Sequence, residues 1–502
     1  MARAEKSFAP GLNFIGGKWT PAQSGATFVS LNPARTQERV GIFPRSERAD
    51  VNAAVAAAKT AFDSWRLTTA PHRGVLLRKI ADVLRARKEA LSRLMSREMG
   101  KPLVEARGDV QEAIDCADYY SGEGRRLYGE TTPSELPNKH AMTLRLPVGV
   151  CGLITPWNFP VAIPSWKAFP ALLCGNTLIL KPAEDTPACA AAFVQAIHDA
   201  GVPPGVINLV QGLGEEVGAA LVAHPDVALI SFTGSSEIGS LIAGQCGRAL
   251  KRCSLEMGGK NAQLVMDDAD LDLALEGALW GAFGTTGQRC TATSRILLHK
   301  KIAPEFTRRF LKLVRGLKVG DPLDEKNKVG PLVNAQQLER STKYVRIGVE
   351  EGARLLCGGK RLKSGALARG HFFAPTVFGG VKPSMRIAQE EIFGPVASLI
   401  EVASFGEGIE VLNGTRYGLS SSIYTRDINR AFRAIRDIQA GITYVNGPTI
   451  GAEVHLPFGG VKSTGNGHRE AGKTVLDIFS EWKSVYVDYS GKLQRAQIDV
   501  ND

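Results

Sequence analysis

Between residues 48 and 125 apolar residues recur at three- and four-residue steps: Val51, Val55, Ala58, Phe62 and Trp65, then Leu76, Ile80, Val83 and Leu84. That is the period of helices with one buried face, and Pro71 separates the two stretches. From about residue 147 the rhythm changes. Short apolar runs at Val148–Ile154, Thr177–Leu180, Val206–Val210, Ala228–Phe232 and Cys253–Leu255 alternate with helical patterns punctuated by Gly, Pro or Asp. Strands alternating with helices predict an α/β fold with right-handed crossovers and a mostly parallel sheet. Such a sheet binds ligands beyond the carboxyl ends of its strands. A second alternating block runs from about 259 to 470 and includes Arg295–Leu298, Val396–Val402 and Ile442–Val445. Residues 126–146 and the tail after about 474, with Trp482, Val485, Tyr486, Val487 and Tyr489, are rich in β-formers but too small for a core. They are predicted to pair with each other and with another subunit.

The chain has 502 residues, enough for two or three folding units, and its 44% hydrophobic and 22% charged residues are a globular balance. The formal net charge of +11 changes this little. Arg308, Arg309, Lys312 and Arg315 alternate with Phe310, Leu311, Leu313 and Val314, the pattern of a solvated helix face opposite a buried one, and no nucleic-acid motif accompanies the charge. No nucleic-acid partner is expected. The eight cysteines show neither CxxC nor metal-ligand spacing, so no metal is expected and a reducing compartment is. The Met1–Lys6 stretch lacks the apolar core of a signal peptide and no apolar run is long enough to span a bilayer, which predicts a cytoplasmic protein without a membrane partner.

Three segments carry candidate chemistry. In Phe283-Gly284-Thr285-Thr286-Gly287-Gln288-Arg289-Cys290-Thr291, small residues leave Cys290 sterically open, and a neighbouring arginine favours thiolate. Taken alone, such a cysteine is more often inert. In Leu255-Glu256-Met257-Gly258-Gly259-Lys260, a carboxylate at a strand end followed by two glycines can face a cleft, although a surface pair with Lys260 is the blander alternative. In Thr155-Pro156-Trp157-Asn158-Phe159-Pro160, two prolines and two aromatics hold the Asn158 amide as an oxyanion donor requires; an Asx-turn is the alternative.

A cofactor loop is less plain. Gly-x-Gly-x-x-Gly is missing, and Gly212-Leu213-Gly214 is followed by Gly218 one position late. Phe232-Thr233-Gly234-Ser235 is the better candidate, because a helix beginning near Ser235 offers free N–H groups to a pyrophosphate. Lys181 and Glu184 stand at the end of a predicted strand, where an acid accepts hydrogen bonds from ribose hydroxyls and favours NAD over NADP.

Residues 150–184, 228–262, 283–295, 389–396 and 455–470 together resemble the aldehyde dehydrogenase superfamily, over almost the whole chain and in matching order. The resemblance implies NAD(P)-dependent oxidation of an aldehyde to the acid. Cys290 would attack the carbonyl, the Asn158 side chain and the Cys290 N–H would hold the oxyanion, and Glu256 would activate water to hydrolyse the thioester. Lys167 matches a lysine that assists catalysis or proton transfer. Glu391 and Phe393 match contacts to the nicotinamide ribose and ring, Lys181 and Glu184 the adenosine ribose, Ser235 the pyrophosphate, and Trp157 a wall of the cofactor site. Ile154, Thr155, Pro156, Gly214, Phe232, Gly234 and Gly258 complete the expected cofactor set, for NAD with NADP possible. The implied fold has a Rossmann-like NAD(P)-binding domain (1–125 and 147–258), an α/β catalytic domain (259–473) and a small β oligomerisation hairpin with its tail (126–146 and 474–502). A homodimer or homotetramer is the family's usual state.

Substrate-binding expectations fall on Phe159, Trp166, Arg289, Thr291 and Phe458, with Ile163, Gly284, Ile450 and Ala452 beside them, Gly284 widening the tunnel. The stretches Cys290–Arg295 and Gly451–Phe458 look most like semialdehyde-oxidising branches, in which Arg289, Ser294 and His455 could hold a distal carboxylate; for Arg289 an inward ion pair is the alternative. A CoA-acylating enzyme is disfavoured by Glu256. A catalytically silent structural protein on the same fold is disfavoured by Cys290, Glu256 and Asn158 together.

Overall fold

A computed structural model describes residues 11–499, so the N-terminal stretch Met1–Lys6 lies outside the described residues. The predicted helical region becomes three helices, Arg48–Trp65, Ala70–Met99 and Leu103–Glu123. Pro71 sits in the first turn of the second, where its missing N–H costs nothing. Their apolar faces, including Leu77, Ile80, Leu84, Val110 and Ile114, are fully buried.

These helices cover a seven-stranded sheet. Five parallel strands run in the order Arg252–Glu256, Leu229–Thr233, Val150–Ile154, Thr177–Lys181 and Ile207–Leu209. Two short antiparallel strands, Asn13–Ile15 and Lys18–Thr20, extend it. The five parallel strands stand where the apolar runs predict them. The two N-terminal ones, and the hairpin Thr27–Asn32 with Arg35–Pro44, have no counterpart in the predicted pattern. At three residues per strand, or with mixed exposure, they lack a readable period.

A second sheet follows the order Arg354–Cys357, Thr376–Gly379, Val396–Val402, Arg295–His299, Ala262–Val265, Ser420–Tyr424 and Ile442–Val445, antiparallel only at its first pair. The basic helix Ala303–Arg315 turns Phe306, Phe310 and Val314 inward and its arginines outward, whereas Leu313, expected on the buried face, is exposed. Ser480–Asp488 pairs antiparallel with Lys139–Pro147 along its whole length, so the outlying segments do pair with each other. Among the described residues no helix is long and apolar enough to cross a membrane.

Candidate active site

Cys290 follows a tight turn, Gly284–Gly287, that places Thr285 and Thr286 at positive φ. Side chains rarely adopt that conformation unless the surroundings hold them. Here the Thr285 hydroxyl bonds to Glu105 and that of Thr286 donates to the Gly330 carbonyl at 3.1 Å. Gly287 also has positive φ, and a Cβ there would lie 2.3 Å from the Gly394 carbonyl oxygen. Only glycine lets the cysteine loop lie against the Phe393–Pro395 segment. The Asn261 amide donates to the Cys290 and Ala292 carbonyls at 2.7 and 3.0 Å, clamping the backbone.

Half-buried Cys290 lines two adjoining spaces, of about 710 and 830 Å³. Asn158 lines the larger one; its Nδ2 donates to the Gln288 carbonyl at 3.1 Å, tying it to the cysteine loop across the fold rather than in a local Asx-turn. Arg289 does favour the Cys290 thiolate, as expected, but it is outweighed. Its guanidinium is turned to Glu105 at 2.8 Å and to the Thr285 hydroxyl at 2.9 Å. Burial, then the carboxylates Glu391 and Glu256, push the Cys290 thiol up to about 12.

Glu256 ends the strand Arg252–Glu256, buried with neither carboxyl oxygen hydrogen-bonded. It does not pair with Lys260, whose Nζ is also buried without a partner. Burial, followed by the neighbouring Glu470, raises the Glu256 carboxyl well above its ordinary value; Lys167 and Arg469 oppose this. Lys167, from the helix Ala162–Cys174, is ion-paired with Glu470 and donates to the Ser231 hydroxyl at 3.0 Å. Gly459 leaves room for this acid, since a Cβ there would stand 2.5 Å from Glu256 Oε1. Glu470 is a member of the site that motif reading missed. It carries no local signal, being brought in by the antiparallel bridge between Phe458 and Glu470.

The larger space is lined by Pro156, Trp157, Gly234, Ser235, Gly258, Glu391 and Phe393, all expected at a cofactor. It opens on the N-terminus of the helix Ser236–Arg248, capped by the Ser235 side chain. Gly234 is required locally, because a Cβ would meet the Phe232 ring at 2.4 Å. Trp157 and Phe393 meet edge to face at 5.4 Å. The Gly259 N–H donates to Glu391 Oε1 at 3.0 Å, and burial raises that carboxyl to about 7. Lys181 ends its strand buried and pairs with exposed Glu184 at 3.1 Å; Gly214 lies beside the Lys181 ammonium. Ile154, Thr155 and Phe232 are buried at the ends of neighbouring strands, and the Thr155 hydroxyl has no partner. Free helix N–H groups, a strand-end Lys and Glu, and an unpaired hydroxyl fit a dinucleotide.

The smaller space is lined by Phe159, Trp166, Arg289, Thr291 and Phe458, all five expected substrate contacts. Trp166 and Phe458 pack edge to face at 4.8 Å. Of the three residues expected at a distal carboxylate, only Arg289 is there. Ser294 donates to the Asn261 carbonyl, and exposed His455 faces Glu453 at 3.5 Å. Gly284 does not widen the cavity; the Trp280 ring lies 3.3 Å from where its Cβ would be.

The family model described as "Aldehyde dehydrogenase family" matches residues 19–485. The chain is 43% identical over 477 residues to an alpha-ketoglutaric semialdehyde dehydrogenase of Bacillus subtilis, covering 95% of this chain and 98% of that one. It is 42% identical over 481 residues to an alpha-ketoglutarate semialdehyde dehydrogenase of Haloferax volcanii, covering 96% and 99%. The crystal structure of betaine aldehyde dehydrogenase from Staphylococcus aureus in complex with NAD+ superposes with a TM-score of 0.94 at 34% identity, covering 97% and 96% of the two chains.

Proposed function

This chain belongs to the aldehyde dehydrogenase family, whose members oxidise aldehydes to acids with NAD(P), and from that premise we propose that Cys290 is its nucleophile and Glu256 its general base. The observation that carries this reading is the position of Cys290 at the junction of the two spaces, with the Asn158 amide on one side and buried Glu256 on the other. Glu256 accepts the Cys290 thiol proton as sulfur adds to the aldehyde carbon, forming the C–S bond of a thiohemiacetal. The second N–H of the Asn158 amide and the Cys290 backbone N–H face the resulting oxyanion. NAD(P), bound beside Trp157, Ser235, Glu391 and Phe393, supplies a hydride acceptor. What then stands on Cys290 is a thioester. Glu256, having passed its proton to the Glu470 and Lys167 cluster, removes one from water, whose oxygen attacks the acyl carbon and releases the acid. Cofactor reduction that vanishes in Cys290→Ala across an aldehyde panel is expected. Undiminished reduction would overturn the assignment.

The substrate we propose is a carboxylate-bearing semialdehyde, supported by the names of the two relatives and by Arg289 in the aldehyde cavity, whose Nη1 bonds no acceptor among the described residues. Equal kcat/KM on unsubstituted aliphatic aldehydes would remove its basis. Hydrolysis rather than acyl transfer is supported by Glu256, and acyl-CoA as the main product would count against it. NAD is the preferred cofactor on this reading, because Glu184 both occupies Lys181 and repels a 2′-phosphate. A homodimer or homotetramer is supported by the unpaired edge of Ser480–Asp488, where Trp482 and Tyr486 are exposed; a monomer by light scattering would exclude it. Eight free cysteines support a reducing compartment, the cytoplasm, which cell fractionation tests.

A further inference from the structure

Four of the cysteine thiols are engaged as donors. Cys116 gives its S–H to the Ser165 carbonyl at 3.5 Å, Cys151 to that of Gly149 at 3.9 Å, Cys174 to that of Leu476 at 3.9 Å and Cys357 to that of Pro375 at 3.9 Å. A buried thiol held in this way keeps its proton and is inert. Cys253 differs, because its sulfur accepts. The Asn466 amide donates to Cys253 Sγ at 3.6 Å, and the Cys246 thiol is hydrogen-bonded to the same sulfur. The bond from Cys246 holds the Cys253 thiol below its ordinary value; burial opposes it and Asn466 adds to it. The same contact, then burial, pushes Cys246 up. The fold brings the two together through a tight return of the chain. Cys246 is buried on the last turn of the helix Ser236–Arg248, and Cys253 is half-buried near the start of the strand Arg252–Glu256. Between them the Ala249 and Lys251 N–H groups both bond back to the Cys246 carbonyl, at 3.1 and 2.9 Å. The strand stands at the edge of its sheet, where the Asn466 side chain also donates to the Cys253 carbonyl at 2.8 Å and accepts from the Leu255 N–H at 3.0 Å. A reachable sulfur that accepts hydrogen bonds, with a second thiol directly behind it, is the arrangement of an attacking and a resolving cysteine.

We propose that Cys246 and Cys253 are a modification site separate from Cys290, a dithiol that a hydroperoxide closes to a disulfide and that thiol exchange reopens. The Cys253 thiolate attacks one peroxide oxygen. The O–O bond breaks, the departing hydroxide takes up a proton to become water, and Cys253 is left as a sulfenic acid. The Cys246 sulfur then attacks that of Cys253; the S–S bond forms as the S–O bond breaks, and the hydroxyl leaves with the Cys246 proton as a second water. Two thiols lose two electrons and one hydrogen peroxide is reduced to two waters. Thiols already in hydrogen-bonding contact need only side-chain rotation to reach the S–S distance of about 2 Å. The bond closes a short turn rather than joining distant segments. It ties the end of the helix that opens at Ser235, in the candidate cofactor site, to the strand that carries Glu256.

The test is titration of the reduced full-length protein with hydrogen peroxide, beside Cys290→Ala, Cys253→Ser and Cys246→Ala, followed by alkylation, trypsin digestion and mass spectrometry. Trypsin cuts after Arg248, Lys251 and Arg252, all between the two cysteines, so the disulfide is read as two peptides joined. The joined pair is expected in wild type and in Cys290→Ala, where the intact chain loses two hydrogens, and dithiothreitol should separate it again. Cys246→Ala should stop at a sulfenic acid on Cys253 that dimedone traps. Cys253→Ser should slow the oxidation of Cys246 at least about tenfold, since the attacking sulfur is gone. The wild-type and Cys290→Ala digests decide the outcome even if one of the other variants does not fold. Cys253 recovered alkylated after peroxide has been consumed at other cysteines would overturn the proposal. So would Cys253 oxidised to the sulfinic acid with Cys246 still free, or Cys253 joined to Cys290 or to a second subunit.

Discussion

The two spaces that meet at Cys290 are made of different material. On the cofactor side strand ends and close-packed glycines, Gly234 and Gly258, and the amino terminus of the helix at Ser236 stand beside the side chains of Trp157, Glu391 and Phe393. On the aldehyde side the wall is side chain: Phe159, Trp166 and Phe458, then buried charges paired across long stretches of chain, Arg289 with Glu105 and Lys167 with Glu470. Backbone donors serve any dinucleotide alike, whereas side chains set which aldehyde enters and what charge it carries. The dinucleotide and the aldehyde are thus met by different sets of parts that share Cys290.

The sharpest probe of that division is Glu256→Gln, since the Glu256 carboxyl lines the aldehyde side only. Loss of the base should lower steady-state turnover about 10²- to 10⁴-fold while cofactor affinity by fluorescence titration stays unchanged. In wild type, the raised carboxyl must be ionised to accept a proton, so activity should climb as pH rises; that climb should disappear in the variant. A comparable loss of cofactor affinity would blur the boundary between the two spaces.

Lys101 stands 3.7 Å over the Phe159 ring of the aldehyde cavity and pairs with buried Asp109 at 2.8 Å, so Lys101→Met tests whether that side depends on its buried pairs. Asp109 would be left charged and unpaired, at an expected cost of about 3–5 kcal/mol in unfolding free energy measured in urea. A variant as stable as wild type would mean that Asp109 takes up a proton without penalty.

On the cofactor side the exchange is milder. Glu184→Gln frees Lys181, and kcat/KM for NADP relative to NAD should rise about tenfold, equivalent to about 1.4 kcal/mol. No change would show that the ion pair does not govern the choice.

The smallest effect is expected from Glu470→Gln. Removing the like charge beside Glu256 lowers that carboxyl's affinity for its proton, so the alkaline climb in activity should begin at lower pH. A shift to higher pH would mean that the freed Lys167 turns away from Glu256 rather than toward it.

Local pattern carried much of this. The turn before Cys290, the strand end at Glu256 and the rigid Asn158 segment are each contiguous in sequence, and all three stand at the junction of the two spaces. Arg289 shows where adjacency misleads. It neighbours Cys290 in sequence, yet its charge goes to Glu105, 184 residues away, and the thiol beside it is pushed up to about 12. Glu470 had no motif to announce it, and neither did Glu112, which the helix Leu103–Glu123 brings to the wall of the aldehyde cavity. A carboxylate on an amphipathic helix looks the same whether it meets solvent or a cavity, and only the packing of Leu103–Glu123 against the helix Ala162–Cys174 and the cysteine loop distinguishes the two.

By itself the sequence determined the alternation of strands and helices, the parallel order it enforces, and the residues able to carry out thiol chemistry. Periodicity and turn chemistry act over neighbouring residues, and a short motif is already a piece of three-dimensional shape. Tertiary structure alone decided which charges are paired, which are left facing the aldehyde, and how strongly each holds its proton. Desolvation and Coulomb energies depend on distances between segments hundreds of residues apart, and those distances exist only in the folded chain.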